Sequence, residues 1–145
     1  MDRNKYLIEL SESERTDFGH VDFARQSEIQ RVFSAVWEIE SQVNNGGFDQ
    51  YFRNSDSDII AFAPAALNAI GATACARIAE SAINLILPLP ATQEKRYDAL
   101  AALSERQRMK LESADSEFFA YPDDLTELLF AYVTKHPEAF GLVPT

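Results

Sequence analysis

The sequence predicts an all-α fold, and three observations carry that expectation. Every strong apolar segment repeats at i, i+3, i+4 spacing. No stretch alternates apolar and polar residues as a half-buried strand does. Ser, Thr and Asp precede the apolar stripes, and Gly and Pro follow them. At 145 residues the chain is long enough to build one multi-helix domain, 1–145, with its own core.

Tyr6, Leu7, Ile8 and Leu10 are apolar enough for a short helix or arm. Ser11 to Gly19 is polar and turn-like, Ser11 and Glu14 have the spacing of a capping box, and His20 follows in the same loop. Ser27 is the expected N-cap of the first strong helix, which runs to about Asn44. Its stripe is Ile29, Val32, Phe33, Val36, Trp37 and Val43, and Glu40 falls inside it. A carboxylate on an apolar face needs partners, and the donors expected for Glu40 are the amides and phenol just beyond Asn44.

Those donors belong to a corner, Asn44-Asn45-Gly46-Gly47-Phe48-Asp49-Gln50-Tyr51-Phe52-Arg53-Asn54. Gly46 is expected at the left-handed C′ position that closes a helix. Gly47 is expected to allow close backbone approach. Phe48, Tyr51 and Phe52 then recur at i, i+3, i+4, the pattern of a short helix with one buried face. Two readings follow: a structural helix–turn–helix corner with an amide cluster, or a polar pocket built from Glu40, Asn45, Gln50 and Tyr51.

Asp56 or Ser57 can cap the next helix, through Ile59, Ile60, Phe62, Ala63, Ala66, Leu67 and Ile70. Pro64 lies inside that pattern, either as a kink or as the first turn of a new helix. Gly71 closes the run, and Thr73 is the expected cap of a helix with Ile78, Ala79, Ala82, Ile83 and Ile86 facing inward. Pro88-Leu89-Pro90 stops it. Thr92 can start another helix with Tyr97, Leu100 and Leu103 as apolar positions. Ser113 to Pro122 reads as a loop or short helix with an aromatic cluster of Phe118, Phe119 and Tyr121. Leu125, Leu128, Leu129, Tyr132 and Val133 mark the last helix, and Phe140, Leu142 and Val143 can fold back onto the core.

The formal charge is −10, which argues against direct binding of nucleic acid or an anionic membrane. Residues 1–60 hold 12 acids and 6 bases, residues 61–110 hold 4 and 6, and residues 111–145 hold 7 and 1. Acid thus flanks a near-neutral middle. The single Cys75, set among small apolar neighbours, fits a reducing cytoplasm and reads as a buried hydrophobe. The first residues lack a signal-peptide core. No phosphate loop, zinc motif, calcium loop or nucleophile elbow occurs, so no metal or cofactor is expected and no catalytic residue is assigned.

The corner resembles the signature of the DNA mimic protein C-terminal domain family, a bacterial group. Val43, Asn45, Gly46, Gly47, Phe48, Gln50, Tyr51, Phe52 and Asn54 carry the resemblance. Ala66 to Ala72, Asp115 to Phe119 and Leu128 to Val133 extend it over about 25–140, with 1–24 as an N-terminal arm or short helix. The resemblance implies an all-helical acidic protein, a dimer, and a member that sequesters a DNA-binding transcription factor by presenting carboxylates in place of phosphates. The expected partner is a basic nucleic-acid-binding protein, either a regulator or a nuclease. Candidate partner-binding acids are Asp115, Glu117, Asp123, Asp124 and Glu127. The alternative is a small-ligand binder or enzyme using the corner, and a plain scaffold with incidental acidity is the third.

Overall fold

The computed structural model describes residues 2–12 and 22–140. Glu14, Gly19, His20, Leu142 and Val143 lie outside the described residues, and with them the expected capping box, the first loop and the C-terminal tail. Among the described residues the fold is all-α, with seven α-helices and no strand. They are α1 (Arg3–Ser11), α2 (Glu28–Asn54), α3 (Ser57–Ala69), α4 (Thr73–Asn84), α5 (Gln93–Ala101), α6 (Glu105–Phe119) and α7 (Leu125–Lys135). Short 3-10 turns cover Phe23–Arg25 and Pro137–Phe140. None of these helices is long and apolar enough to cross a membrane.

The axis of the fold is α2, against which α3, α5, α6 and α7 all pack. Ser27 starts it with a capping box: its hydroxyl accepts from the Gln30 N–H, and the Gln30 side chain accepts from the Ser27 N–H at 2.9 Å. Val32, Phe33, Ala35, Val36, Ile39 and Val43 are buried along the first arm. That set is wider than one helical stripe because neighbours cover α2 from more than one side. Each large side chain among them contributes roughly 1.5–3 kcal/mol of transfer free energy.

Helix α3 ends in a Schellman arrangement. Gly71 takes φ +88°, its N–H donates to the Asn68 carbonyl, and the Ala72 N–H donates to the Leu67 carbonyl at 2.8 Å. Pro64 lies within α3 without ending it. Thr73 is not the cap of α4. It is the first helical residue, and Ala72 precedes it with no side-chain acceptor. The cap comes from elsewhere in the chain, as described below.

Two expectations in the second half need correction. Ser113 to Phe119 is neither loop nor separate helix, because α6 continues through it from Ser104, whose capping box with Gln107 fixes the start. The aromatic cluster splits: Phe118 is buried, whereas Phe119 and Tyr121 are about half exposed. On α5 the buried positions are Arg96 and Leu100, and Tyr97 turns outward under the guanidinium of Arg53, 5.0 Å from its ring centroid. Helix α1 packs on α7, with Tyr6 edge-on to Phe130 at 5.2 Å.

Candidate functional site

The corner is a break in α2 at Gly46 and Gly47, with helical arms over 28–45 and 48–54. Gly47, not Gly46, holds the left-handed backbone, at φ +74°. Gly46 is non-helical but not left-handed, at φ −159° and ψ 22°. Its need for glycine is steric: a Cβ there would stand 2.9 Å from the Gln50 Cβ and closer still to its amide oxygen. Gly47 admits a side chain rather than a second backbone. A Cβ on it would lie 2.7 Å from a carboxylate oxygen of Asp115. That carboxylate accepts the Phe48 N–H at 2.7 Å, and so caps the second arm from α6.

The corner has a closed face and an open one. Phe48, Tyr51 and Phe52 are fully buried, and Phe48 meets Phe118 edge-on at 5.8 Å. On the other face the amides form a ladder. Asn45 donates to Gln50 at 3.2 Å, Gln50 donates to Gln42 at 2.9 Å, and Asn54 reaches the same Gln42 oxygen at 3.4 Å. Asn44 donates to the Tyr121 hydroxyl at 2.7 Å, tying the first arm to the end of α6. The Tyr51 hydroxyl is buried and has no hydrogen-bond partner among the described residues. Burial, followed by the nearby Glu38 charge, raises its pKa further above the ordinary phenol range.

Arg96 holds the far end of the corner, and sequence reasoning missed it. Its buried guanidinium donates to the carbonyls of Phe52, Ser55 and Pro90, at 2.8, 2.9 and 3.1 Å. The first two lie at the C-terminus of α2, where a cation is favoured by the helix dipole. The available signal was spacing: Arg96 stands four before Leu100 and seven before Leu103, on the apolar side of α5.

Around the corner three carboxylates meet two guanidiniums. Asp49 pairs with Arg53 at 2.6 Å and with Arg108 at 3.8 Å. Burial raises the Asp115 pKa against the lowering effect of the Phe48 N–H, and the charges of Asp49 and Glu112 add to the rise.

A second cluster surrounds the start of α7. Asp123 accepts the Cys75 N–H at 2.8 Å, supplying the cap that α4 lacks locally. Asp124 is the N-cap of α7 and accepts the Glu127 N–H at 3.1 Å. Glu127 pairs with Arg3 of α1. Glu40 belongs here, not to the corner: burial first, then the Asp124 charge, raises its pKa. The acid whose charge acts on Tyr51 is instead Glu38, which accepts the Ser55 hydroxyl at 2.7 Å. Burial, with Asp123 adding, pushes the Cys75 thiol up to about 12, so it remains protonated and unreactive. This cluster sets four carboxylates, Glu40, Asp123, Asp124 and Glu127, against one guanidinium.

The five C-terminal acids therefore do not form one face. Asp115 belongs to the corner, and Asp123, Asp124 and Glu127 gather with Glu40 at α7. Glu117 lies apart in the cleft between α4 and α6. Among the described residues no three His, Cys, Asp or Glu side chains are placed to hold a metal ion.

No curated protein matches the chain, and no solved structure does. A family model described as DMP19-like protein matches residues 24–136, from just before α2 to the end of α7. That span contains the corner, both remote caps and both carboxylate clusters, and with most of its length matched the chain belongs to the DMP19-like family.

Proposed function

We propose that the chain is an acidic interaction protein that binds a basic, nucleic-acid-binding protein through the carboxylates around the start of α7. The observation that supports this reading is the imbalance of charge there, four carboxylates against one guanidinium. Membership of the DMP19-like family supports a DNA-binding protein as the class of partner, and we propose a regulator or nuclease whose DNA site accepts phosphate-like charge.

Asp123 directly precedes α7, Asp124 is its N-cap and Glu127 lies in its first turn, so three carboxylates gather at one helix start. Glu40 adds a carboxylate from α2 beside Asp124. Phosphates along one DNA strand rise about 3.4 Å per nucleotide. Two helices acting together can approximate such a track. Complementary charge of this kind chiefly raises the association rate and selects the partner. Two copies in a dimer, as the family resemblance implies, would present the track twice, and sedimentation equilibrium measures that state.

The test begins with DNA-binding proteins captured on the chain. Glu40→Gln, Asp123→Asn, Asp124→Asn and Glu127→Gln are combined, which removes charge and keeps the oxygen acceptors of the two caps. The variant is expected to bind the captured partner at least tenfold more weakly, about 1.4 kcal/mol. Wild-type affinity should fall steeply with salt, and duplex DNA should compete. Unchanged affinity with a flat salt response overturns this face as the binding surface.

A further inference from the structure

A cationic concavity of this acidic molecule lies between α4 and α6. Two clefts, of about 620 and 470 Å³, share Ser81 and Glu117 and so form one groove. The α4 wall runs from Ala74 to Leu85, about 16 Å or three helical turns. The α6 wall runs antiparallel to it, since Leu85 shares a cleft with Arg106 and Ala74 shares the other with Ala120.

Both walls present residues at helical spacing. On α4 these include Arg77, Ile78, Ser81 and Leu85, and on α6 Arg106, Met109, Lys110 and Glu117. Met109 is 61 % exposed, the most exposed large apolar side chain among the described residues. Arg77, Arg106 and Lys110 have no ion-pair partner among the described residues. The groove thus sets three free cations against one carboxylate, in a chain of net charge −10. By contrast, Arg3, Arg53 and Arg108 pair with carboxylates, and Arg96 with carbonyls.

We infer that this groove is a second binding surface, and that its occupant is an acidic amphipathic helix of a protein partner. Length fits, because three turns of wall match a short recognition helix. Chemistry fits as well. Ile78, Leu85 and Met109 offer apolar contact that an adaptable thioether can adjust. Small residues such as Ser81 and Ala114 let a helix approach closely, in the helix-in-groove mode. The flanking cations select acidic side chains along the edges of that helix. Nucleic acid fits less well: no aromatic ring lines the groove to stack a base, Glu117 stands in its middle, and the whole molecule repels a polyanion. This surface is separate from the carboxylates at α7 and has the opposite sign.

The test is fluorescence anisotropy with a labelled synthetic helix of about four turns, Leu along one face and Glu along both flanks. Saturable binding to the wild-type chain, weakened roughly tenfold or more by Arg77→Glu, Arg106→Glu and Lys110→Glu together, supports the inference. Retained binding by the variant neutralised at α7 supports it further and separates it from the function proposed above. Circular dichroism checks that the charge-reversed variant folds, and Met109→Ser, expected to weaken binding severalfold, gives an independent probe without changing charge. Absence of saturable binding overturns the inference, as does equal binding by the charge-reversed variant. An oligothymidine that binds where the peptide does not makes the groove a nucleic-acid site instead. A wild-type dimer that charge reversal converts to monomer, with no peptide bound, makes it a self-association surface instead.

Discussion

The two carboxylate clusters of this molecule differ in what surrounds them. At the corner, Asp49, Glu112 and Asp115 face Arg53 and Arg108, and Asp115 points inward to cap a helix. At the start of α7, Glu40, Asp123, Asp124 and Glu127 face Arg3 alone. The first cluster is close to charge balance and is built into the packing. The second keeps an excess of negative charge, although two of its members also cap helices. A carboxylate can therefore hold the fold and still be displayed, and the balance of its neighbours decides how much field escapes. Corner substitutions should act mainly on stability, whereas charge removal at α7 should act mainly on binding.

The sharpest way to break that contrast is Gly47→Ala. A methyl group there meets both a left-handed backbone and the Asp115 carboxylate, and the expected loss is about 3 kcal/mol in urea denaturation. A loss below about 1 kcal/mol would show that the break in α2 can relax and that the corner is not rigid.

Asp115→Ala comes next, with an expected loss of about 2 kcal/mol from the uncapped Phe48 N–H. Partner affinity should stay within a factor of about two, or roughly 0.4 kcal/mol. A variant that folds like wild type but loses its partner would move the binding surface to the corner.

Glu40→Gln sharpens the comparison through pH. Burial and Asp124 raise the Glu40 pKa in the folded chain above its unfolded value. The folded state therefore holds this proton more tightly, and stability from this source is full below about pH 4 and is lost as pH rises through the folded pKa. The variant should melt higher than wild type at neutral pH and lose that advantage under acid conditions. A melting difference that does not vary with pH would remove the repulsion assigned to this cluster.

The smallest effect is expected from Tyr51→Phe. Its hydroxyl is buried without a partner among the described residues, so its removal should leave stability unchanged or raise it by about 1 kcal/mol. A clear loss of stability, or of partner binding with stability intact, would assign that hydroxyl work at the corner.

Sequence periodicity made the helices legible because burial on a helix repeats every three or four residues. Val32, Phe33, Val36 and Val43 announced the core face of α2, and Ser27 announced its start. The corner was legible too, since paired glycines before an aromatic triplet have few other uses. What remained hidden was every polar contact made over long sequence separation. Asp115 and Asp123 look like any acid near a helix end, and nothing local says that they cap Phe48 and Cys75. Glu40 shows the opposite limit. Its spacing from Val36 and Val43 correctly indicated partial burial, yet α7 also covers α2, and that neighbour gave Glu40 an acidic environment rather than amide donors. Arg96 was passed over because a cation on an apolar stripe reads as surface until the carbonyls it serves are seen.

The two remote caps also bear on the order in which the chain can fold. The Phe48–Asp115 and Cys75–Asp123 bonds join residues 67 and 48 positions apart. Contacts of that range require large loops to close before they return any stabilisation. The short arm over 48–54 and the first turn of α4 thus cannot be completed by the chain that precedes α6. A nascent chain released as far as α5 holds most of the buried apolar surface of α2, α3 and α4 but lacks the carboxylates that finish two of its helix starts. The last third of the chain, which carries much of the acid, acts as the latch on the middle third, and cooperativity between them follows from two aspartates.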